Sequence, residues 1–392
     1  MTHPLQSFRR QRPLLSSLLL AAIAGACSDG VDRVVAPQQV SLARAAGPAR
    51  YVSPSGSDTG DCTAAPCRTI GYAVAQAAAG DLVSGAAGTY NETVTISKRL
   101  SLVGSDATID ATGQSSPPNA IVITGADAAG TLVSGFTIQH AGLEGIFAVQ
   151  TSRVTIENNL VRENDTYGPF NPACVDQPDD CGEAIHLQSV TNAIVRNNVV
   201  RDNVGGILLT DENGPTSGNM ISDNMVLDNT LDCGITLASH WFSLKAAATP
   251  DIAGVYRNTI LHNTSNGNGA AGIGVFAGPP GAAAWGNTVA NNTAMNNGFA
   301  GIMVHSHTPF QYVDNNVITN NTLSGNGIDD DNPIDDAPTG ISIFSAVIPI
   351  PSTVITDNHV TNEQYGIVSY NAVKLSGLAS NKLDVAVPTK IQ

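Results

Sequence analysis

Charged side chains are scarce in this chain of 392 residues. They make up 13% of the residues, about half of the roughly 25% that is ordinary for a globular domain. Soluble helical enzymes cover their exposed helix faces with Glu, Lys and Arg, so the composition excludes a conventional two-domain helical enzyme. Glycine, with 38 residues, and many asparagines take the place of the missing charge, which favours a repetitive, β-rich chain.

Long apolar runs are absent beyond the N-terminus, which excludes a membrane transporter. The run from Leu14 to Ala24 follows three arginines and precedes small residues and Cys27, an order typical of an export signal. The tetrapeptide Ala-Gly-Ala-Cys that ends at Cys27 resembles a bacterial lipobox. This implies removal of residues 1–26, diacylation of Cys27 and a flexible tether over residues 27–48. Because Ala24 replaces the usual Leu, ordinary signal cleavage stays open.

Basic residues are also few, with 18 Lys and Arg against 33 Asp and Glu. Three arginines and no acidic residue lie in residues 1–26, so their removal gives a net charge of −18. Nucleic acid is excluded as a partner by this charge. We expect a monomer that binds polysaccharide and contacts the membrane only through a lipid anchor. A neutral glycan, or an anionic one bridged by a cation, fits the charge best.

Cysteine is limited to six residues. Cys62 with Cys67, and Cys174 with Cys181, form close pairs that predict disulfides outside the cytoplasm. Metal ligation is the alternative, although no histidine shares either loop. Cys233 is left over and is expected to be a small buried residue.

Two short phrases recur along the chain. The first has an apolar residue, two spacers, Asn, one spacer, an apolar residue, two spacers and Asn. It begins at Ile156, Val195, Ile221, Val255, Ala284, Val313 and Ile355, with Glu363 in place of the last Asn. The second is Gly-Ile or close to it, and it begins at Gly145, Ala184, Gly206, Gly234, Gly272, Gly301, Gly340 and Gly366.

Each unit holds too little apolar surface to fold alone, whereas stacked units bury a continuous column of Val, Ile and Leu. Asparagines are expected to form ladders along the turns, where they tolerate left-handed backbone and hydrogen-bond the backbone. The repeats therefore predict an all-β fold, a single right-handed parallel β-helix. We expect an N-terminal cap and first coils over residues 49–110 and the remaining coils over residues 111–392.

The entry segment resembles the N-terminal cap of pectate-lyase-like β-helix proteins. The resemblance rests on residues 51–58, 66–70, 80–81 and 88–92, and it implies that a short helix from Thr69 to Ala79 plugs the first coil. The Asn-rich coils resemble the repeats of carbohydrate-binding proteins and sugar hydrolases. That family includes lyases, hydrolases, epimerases, binding proteins and a periplasmic copper-associated branch, so the resemblance is specific for fold rather than for activity.

Equivalent positions of successive coils stack about 4.8 Å apart, so residues at equal distance from the Gly-Ile phrase become neighbours. The third residue after Ile is expected to point outward, at Gln188, Thr210, Ala238, Phe276, His305, Phe344 and Tyr370. The fifth residue is expected to do the same, at Val190, Glu212, His240, Gly278, His307 and Ala346. Glu212 and His240 fall on adjacent coils, and Gly274 and Gly278 suggest the floor of a groove.

Several chemistries suit this face. The predicted catalytic residues are His240, His305, His307, Glu212 and Asp211, because a histidine beside a carboxylate can act as a general base and acid. The predicted substrate-binding residues are His186, Trp241, Lys245, Phe276, Phe344 and Tyr370. Three histidines and a carboxylate could instead ligate a transition metal. The loop of residues 323–338 offers Asp329, Asp330 and Asp331 as candidate calcium ligands, and no other cofactor is indicated.

The sequence is compatible with three functions. The leading hypothesis is an exported enzyme that cleaves a polysaccharide by hydrolysis or β-elimination, which would make it a glycoside hydrolase or a polysaccharide lyase. The alternatives are a glycan-binding surface module without catalysis and a periplasmic metal-binding protein. The sequence does not specify the sugar or the linkage, because folds of this type host many activities.

Overall fold

The structure is a computed structural model that describes residues 47–116, 118–166, 182–372 and 374–392. The predicted export signal, the predicted lipidation site Cys27 and the predicted Cys174–Cys181 disulfide lie outside these residues. Among the described residues, no helix is both long and apolar enough to span a bilayer.

Within the described residues, parallel strands of successive coils pair to form three sheets. The sheet that carries the candidate site is a single row of eleven strands and is called the long sheet. Its strands are Val94–Ile96, Ile121–Thr124, Ile146–Val149, Glu183–Gln188, Gly205–Thr210, Ile235–Ser239, Ile273–Ala277, Ile302–Ser306, Thr339–Ser345, Tyr365–Tyr370 and Val387–Ile391. A short sheet has four strands: Thr216–Ser217, Val255–Tyr256, Ala283–Trp285 and Tyr312–Asp314. This arrangement confirms the predicted parallel β-helix.

The third sheet has 21 strands in two parallel rows, which are joined because the strands Ser101–Asp110 and Leu132–Gln139 run through both. The first row adds Ala49–Val52, Leu82–Gly85, Thr155–Glu157, Ile194–Arg196, Met220–Ser222, Thr259–Leu261, Thr288–Ala290, Asn316–Thr319, Thr353–Thr356 and Leu375–Ser376. The second adds Gly88–Tyr90, Leu160–Arg162, Val199–Arg201, Met225–Leu227, Thr264–Asn266, Thr293–Met295, Thr322–Ser324, His359–Thr361 and Lys382–Asp384.

The isoleucines of the Gly-Ile phrase form one column inside the coils, as predicted. They are all fully buried: Ile146, Ile185, Ile207, Ile235, Ile273, Ile302, Ile341 and Ile367. Burying one such side chain contributes about 1.5–3 kcal/mol relative to leaving it exposed. A single coil has too few of these side chains to offset the entropy of ordering its backbone, so the coils depend on their neighbours.

Buried asparagines stack into three ladders, in which the side-chain amide of one coil donates to the side-chain oxygen of the next. The first ladder runs through Asn159, Asn198, Asn224, Asn263, Asn292, Asn321, Asn358 and Asn381. The second runs through Asn164, Asn203, Asn229, Asn268, Asn297, Asn326 and Glu363. The third runs through Asn219, Asn258, Asn287 and Asn316. Laddering was predicted. The repeated phrase, however, does not mark the same two ladders in every coil, because the phrase contains two asparagine positions whereas later coils carry asparagines at three turns.

The left-handed backbone of the turns falls one residue before the ladder. Asn197, Asn291 and Asn320 adopt φ values of 54°, 55° and 56°, and each immediately precedes a ladder asparagine. The prediction that the same asparagine adopts the left-handed conformation and forms the ladder is therefore wrong. The first residue supplies the turn conformation, which leaves the second free to bond across coils.

The cap at the N-terminal end contains the helix Ile70–Gln76. Thr69 caps it by accepting the N–H of Tyr72, and the Glu92 carboxylate accepts the N–H groups of Ile70 and Gly71 at 2.8 Å each. The helix ends three residues before the predicted Ala79, because Ala77 turns to extended backbone. The described residues also contain 3₁₀ turns at Ala126–Ala128 and Leu378–Ser380.

Two of the cysteine predictions are tested by the structure. Cys62 and Cys67 form the predicted disulfide. Cys233 is a buried free thiol, and burial raises its pKa well above the ordinary value. Both predictions are confirmed.

Candidate functional site

Four of the histidines, His186, His240, His305 and His307, lie along the outer side of the long sheet on every second coil. Its register pairs Ala238 with Phe276, Phe276 with His305, His305 with Phe344, and Phe344 with Tyr370. The predicted column is therefore confirmed for these residues. Neighbouring side chains along it are separated by one strand spacing, which places the rings of Phe276, His305, Phe344 and Tyr370 in contact.

Glu212 and His240 form a hydrogen-bonded pair just beyond the ends of two adjacent strands. The Nδ1 atom of His240 lies 2.8 Å from Oε1 of Glu212, and the His240 side chain is 7% exposed. Burial opposes ionisation of Glu212, but the hydrogen bond and charge of His240, with His186 and Thr210, lower its pKa to about 2. Glu212 is thus an ionised acceptor that orients the imidazole.

A chain of polar contacts continues from this pair to the coils before it. Thr210 donates its hydroxyl proton to Oε2 of Glu212 at 2.5 Å. Since that hydroxyl has one proton, it must accept from Nε2 of His186, 2.8 Å away. Nδ1 of His186 faces Glu144 at 3.4 Å. The contacts thus form a continuous chain from the buried Glu144 to His240.

Asp211 supports the turn that carries His240. Its carboxylate accepts the N–H groups of His240 and Gly254, both at 2.6 Å, and the hydroxyl of Ser239 at 2.8 Å. Burial raises the pKa of Asp211 and these hydrogen bonds oppose the increase. Both oxygens are occupied by the protein itself, so Asp211 serves to position His240.

A second cluster joins the strand Ile302–Ser306 to the loop of residues 323–338. Nε2 of His305 lies 2.8 Å from Oδ2 of the fully buried Asp329. Nδ1 of His305 and Nε2 of His307 lie 3.7 and 3.5 Å from Oδ2 of Asp331. One ligand atom from each of His305, His307 and Asp331 lies within 4.8 Å of the others.

Aromatic rings enclose this cluster. The centroids of Phe276 and Phe344 lie 5.3 and 5.4 Å from that of His305, on edge-on contacts. His305 and His307 are themselves perpendicular, with centroids 5.2 Å apart. The rings restrict the imidazoles and keep His305 out of water.

Comparison with known families identifies the architecture. A family model described as "Right handed beta helix region" matches residues 100–323 and 251–382, more than half of the chain. The chain belongs to the right-handed β-helix family. Compared with curated proteins, it matches none.

Solved structures resemble this β-helix over most of its length. The A-module of the mannuronan C-5 epimerase AlgE4 of Azotobacter vinelandii has a TM-score of 0.55 at 14% identity, covering 88% of this chain and 86% of that one. The A-module of AlgE6 from the same organism has a TM-score of 0.53 at 12% identity, covering 88% and 87%. The pectate lyase Pel9A has a TM-score of 0.51 at 16% identity, covering 85% and 80%. At such identities the likeness shows the shared fold.

The other predicted binding residues take separate places on this β-helix. Trp241 packs against the buried alanines Ala248, Ala253 and Ala283, and the side chain of Lys245 is exposed. Phe344 is buried between His305 and Tyr370. Asp330 does not belong to the His305 cluster.

Two expectations about this face are wrong. Val190 is fully buried rather than outward, because Ser189 adopts φ of 55° and turns the chain into the core after the strand. Gly274 is not an open groove floor, since the ring of Phe276 lies where a side chain on Gly274 would point. His186, a predicted substrate-binding residue, is buried as well, and its ring nitrogens face Glu144 and Thr210.

Sequence reasoning missed three participants. Glu144 and Thr210 were not assigned roles, although Thr210 stood in the predicted column, and Asp329 was considered only as a calcium ligand. The predicted columns include only side chains at equivalent positions of neighbouring strands. The contacts of Glu144, Thr210 and Asp329 come from loops or join different positions of two coils.

Proposed function

We propose that the chain is an exported glycan-active enzyme in which His240, oriented by Glu212, transfers protons during polysaccharide cleavage by β-elimination. The observation that carries this proposal is the 2.8 Å contact between His240 Nδ1 and an ionised Glu212. A carboxylate that accepts the Nδ1 proton leaves Nε2 as the atom that can accept another proton.

In the proposed step, Nε2 of His240 removes the proton from the carbon beside the carboxylate of a uronic acid unit. The electron pair of that C–H bond forms a carbon–carbon double bond, and the bond to the glycosidic oxygen breaks. The leaving oxygen takes a proton from water or a protonated side chain, so one proton is removed and one is supplied. The product is an unsaturated sugar.

The environment of Asp211 favours elimination over hydrolysis. A glycoside hydrolase needs two carboxyl groups across the scissile bond, about 5–9.5 Å apart. Asp211 is adjacent to Glu212 in the chain, but its oxygens are engaged by Ser239, His240 and Gly254. It is therefore a poor second carboxyl group.

The substrate class is supported by what the similar structures are named for. Mannuronan and pectate, named in two of them, are polymers of uronic acids, and proton abstraction beside a carboxylate is chemistry that such units permit. The net charge of −18 that remains after removal of residues 1–26 opposes an anionic polymer. We therefore expect cleavage to depend on cations that offset this repulsion.

Export is part of the proposal and is supported by residues 1–26. If Cys27 carries a lipid, the wild-type protein will be recovered in the membrane fraction and Cys27→Ser will release it. Equal recovery of both from the soluble fraction would reject the anchor.

Kinetics on a responsive uronate polymer test the role of His240. We expect His240→Ala to lower kcat by about 10²–10⁴, and Glu212→Gln to lower kcat with little change in KM. His359→Ala is the matched control, because His359 lies in a strand of the 21-stranded sheet and pairs with Asp384. Full activity in His240→Ala, with unchanged circular dichroism in all three variants, would reject the proposal.

A second candidate function, glycan binding without turnover, is favoured by a different feature. A cleft of about 280 Å³ is lined by Arg99 and Arg153, two cations on a strongly acidic chain. This function predicts affinity for an anionic glycan that Arg153→Ala weakens, together with no product from any polysaccharide. Retained affinity in Arg153→Ala would count against it.

A further inference from the structure

His305, His307 and Asp331 converge on the outer face of the long sheet, near the end of the strand Ile302–Ser306. His305 is the last residue of the strand Ile302–Ser306 that points away from the core of the coils, and His307 follows two residues later, so both side chains project from the same face. Asp331 reaches them from the loop before the strand Thr339–Ser345. Three different groups are thus brought together by the packing of one loop on one strand.

The spacing of the three groups suits a shared ion better than direct hydrogen bonds. Asp331 Oδ2 stands 3.7 Å from Nδ1 of His305 and 3.5 Å from Nε2 of His307. Neither nitrogen has a hydrogen-bond partner among the described residues, although both atoms are buried. Two ligands at about 2.0–2.1 Å from one ion at tetrahedral angles stand roughly 3.4 Å apart, close to these distances.

Asp329 prepares His305 for this role. Its Oδ2 accepts from Nε2 of His305 at 2.8 Å and from Oγ of Ser342 at 2.5 Å. A proton held on Nε2 leaves the lone pair of Nδ1 directed toward Asp331. Asp329 also accepts the N–H of Asp331 through Oδ1 at 3.2 Å. The same buried carboxylate therefore orients two members of the trio, as outer carboxylates do for histidine ligands of metals.

We propose that His305, His307 and Asp331 bind a transition-metal ion of the zinc type. Two imidazole nitrogens and one carboxylate oxygen suit such ions, whereas calcium and magnesium select oxygen ligands. Three protein ligands leave an open coordination position. Asp331 is 64% exposed and His307 is 33% exposed, so that position can take water or an oxygen of a bound molecule.

This site is separate from the proposed base. His240 and His307 lie two coils apart, roughly 10 Å along the sheet, and no contact joins the two groups among the described residues. A failure to bind metal would therefore not contradict the role of His240, and a failure to cleave glycan would not contradict the metal site.

Titration of the full chain with zinc chloride tests the site. The protein is prepared without a polyhistidine tag, treated with chelator and dialysed, and binding is followed by calorimetry and by elemental analysis of the separated protein. We expect one equivalent of zinc to bind and excess calcium not to displace it. Cobalt in place of zinc should give visible absorption bands of a nitrogen and oxygen site.

Variants at the exposed ligands separate this site from adventitious binding. His307→Ala and Asp331→Asn should each weaken zinc binding at least about 100-fold, while Asp330→Asn, at the exposed neighbouring acid, should bind like wild type. Circular dichroism of each variant controls for folding. Absence of stoichiometric zinc binding by the wild type, or wild-type affinity in both ligand variants, would overturn the proposal.

Discussion

Replacement of Asn292 by Ala tests how much an asparagine ladder stabilises the coils. The Oδ1 atom of Asn292 accepts the backbone N–H of Asn263 at 2.8 Å and its amide at 3.0 Å. Its Nδ2 donates to the carbonyl of Ile260 at 2.9 Å and to Asn321 at 3.0 Å. All four bonds are lost in the variant, and the N–H of Asn263 is left buried.

The magnitude follows from these four bonds. An orphaned buried N–H costs about 1–3 kcal/mol, and the other three bonds contribute about 1 kcal/mol each, so unfolding should become easier by on the order of 4–6 kcal/mol. Asn291→Ala is the matched control. Asn291 is exposed and holds only the left-handed turn, so its replacement should cost about 1 kcal/mol.

Urea unfolding followed by circular dichroism and by tryptophan fluorescence measures both variants. Trp285 stacks on Tyr256 with centroids 4.4 Å apart, and it lies on the coil of Asn292, so its emission reports on this region. Loss of stability in Asn292→Ala within 1 kcal/mol of that in Asn291→Ala would refute the structural role of the ladder.

Three further predictions concern other groups. Burial raises the pKa of Glu363 from 4.5, its ordinary value, to about 7. The ionised carboxyl therefore destabilises the fold at a pH above 7, and this destabilisation is lost as the pH falls from 7 toward 4.5. Glu363→Gln should therefore raise stability at pH 8 by about 1–2 kcal/mol and leave it unchanged at pH 4, and an equal effect at both values in urea titrations would contradict this. Joint replacement of Cys62 and Cys67 by Ser should lower stability by about 2 kcal/mol in thermal unfolding, and no change would indicate that the bridge leaves the unfolded cap unrestrained. Asp329→Asn should weaken zinc binding about 10- to 100-fold while one equivalent still binds, and unchanged calorimetric affinity would show that Asp329 does not position His305.

Much of the fold could be predicted because one rule applies to every coil. The isoleucine after each glycine marks the core, and parallel pairing carries that register from coil to coil, which is why Phe276, His305 and Phe344 stack as predicted. The rule fails once a strand ends. At Ser189 a left-handed residue turns Val190 inward, and no periodicity in the sequence marks that bend.

The candidate site could be predicted only where it follows strand register. The proximity of Glu212 and His240 follows from adjacent coils and is confirmed by their hydrogen bond. The meeting of Asp331 with His305 and His307 depends on how one loop folds back over the sheet, which repeat spacing does not specify. The sequence therefore predicts Asp331 as a candidate calcium ligand but does not predict its place beside His305 and His307.

The most direct test of the account is mass spectrometry of products from a panel of uronic acid polymers and neutral glycans. We predict that wild-type protein releases unsaturated oligosaccharides from a uronic acid polymer and that His240→Ala releases none. Products that have gained water, or no product from any polymer under conditions where the wild-type protein is folded and supplied with zinc and calcium, would contradict proton abstraction by His240 as the function of this β-helix.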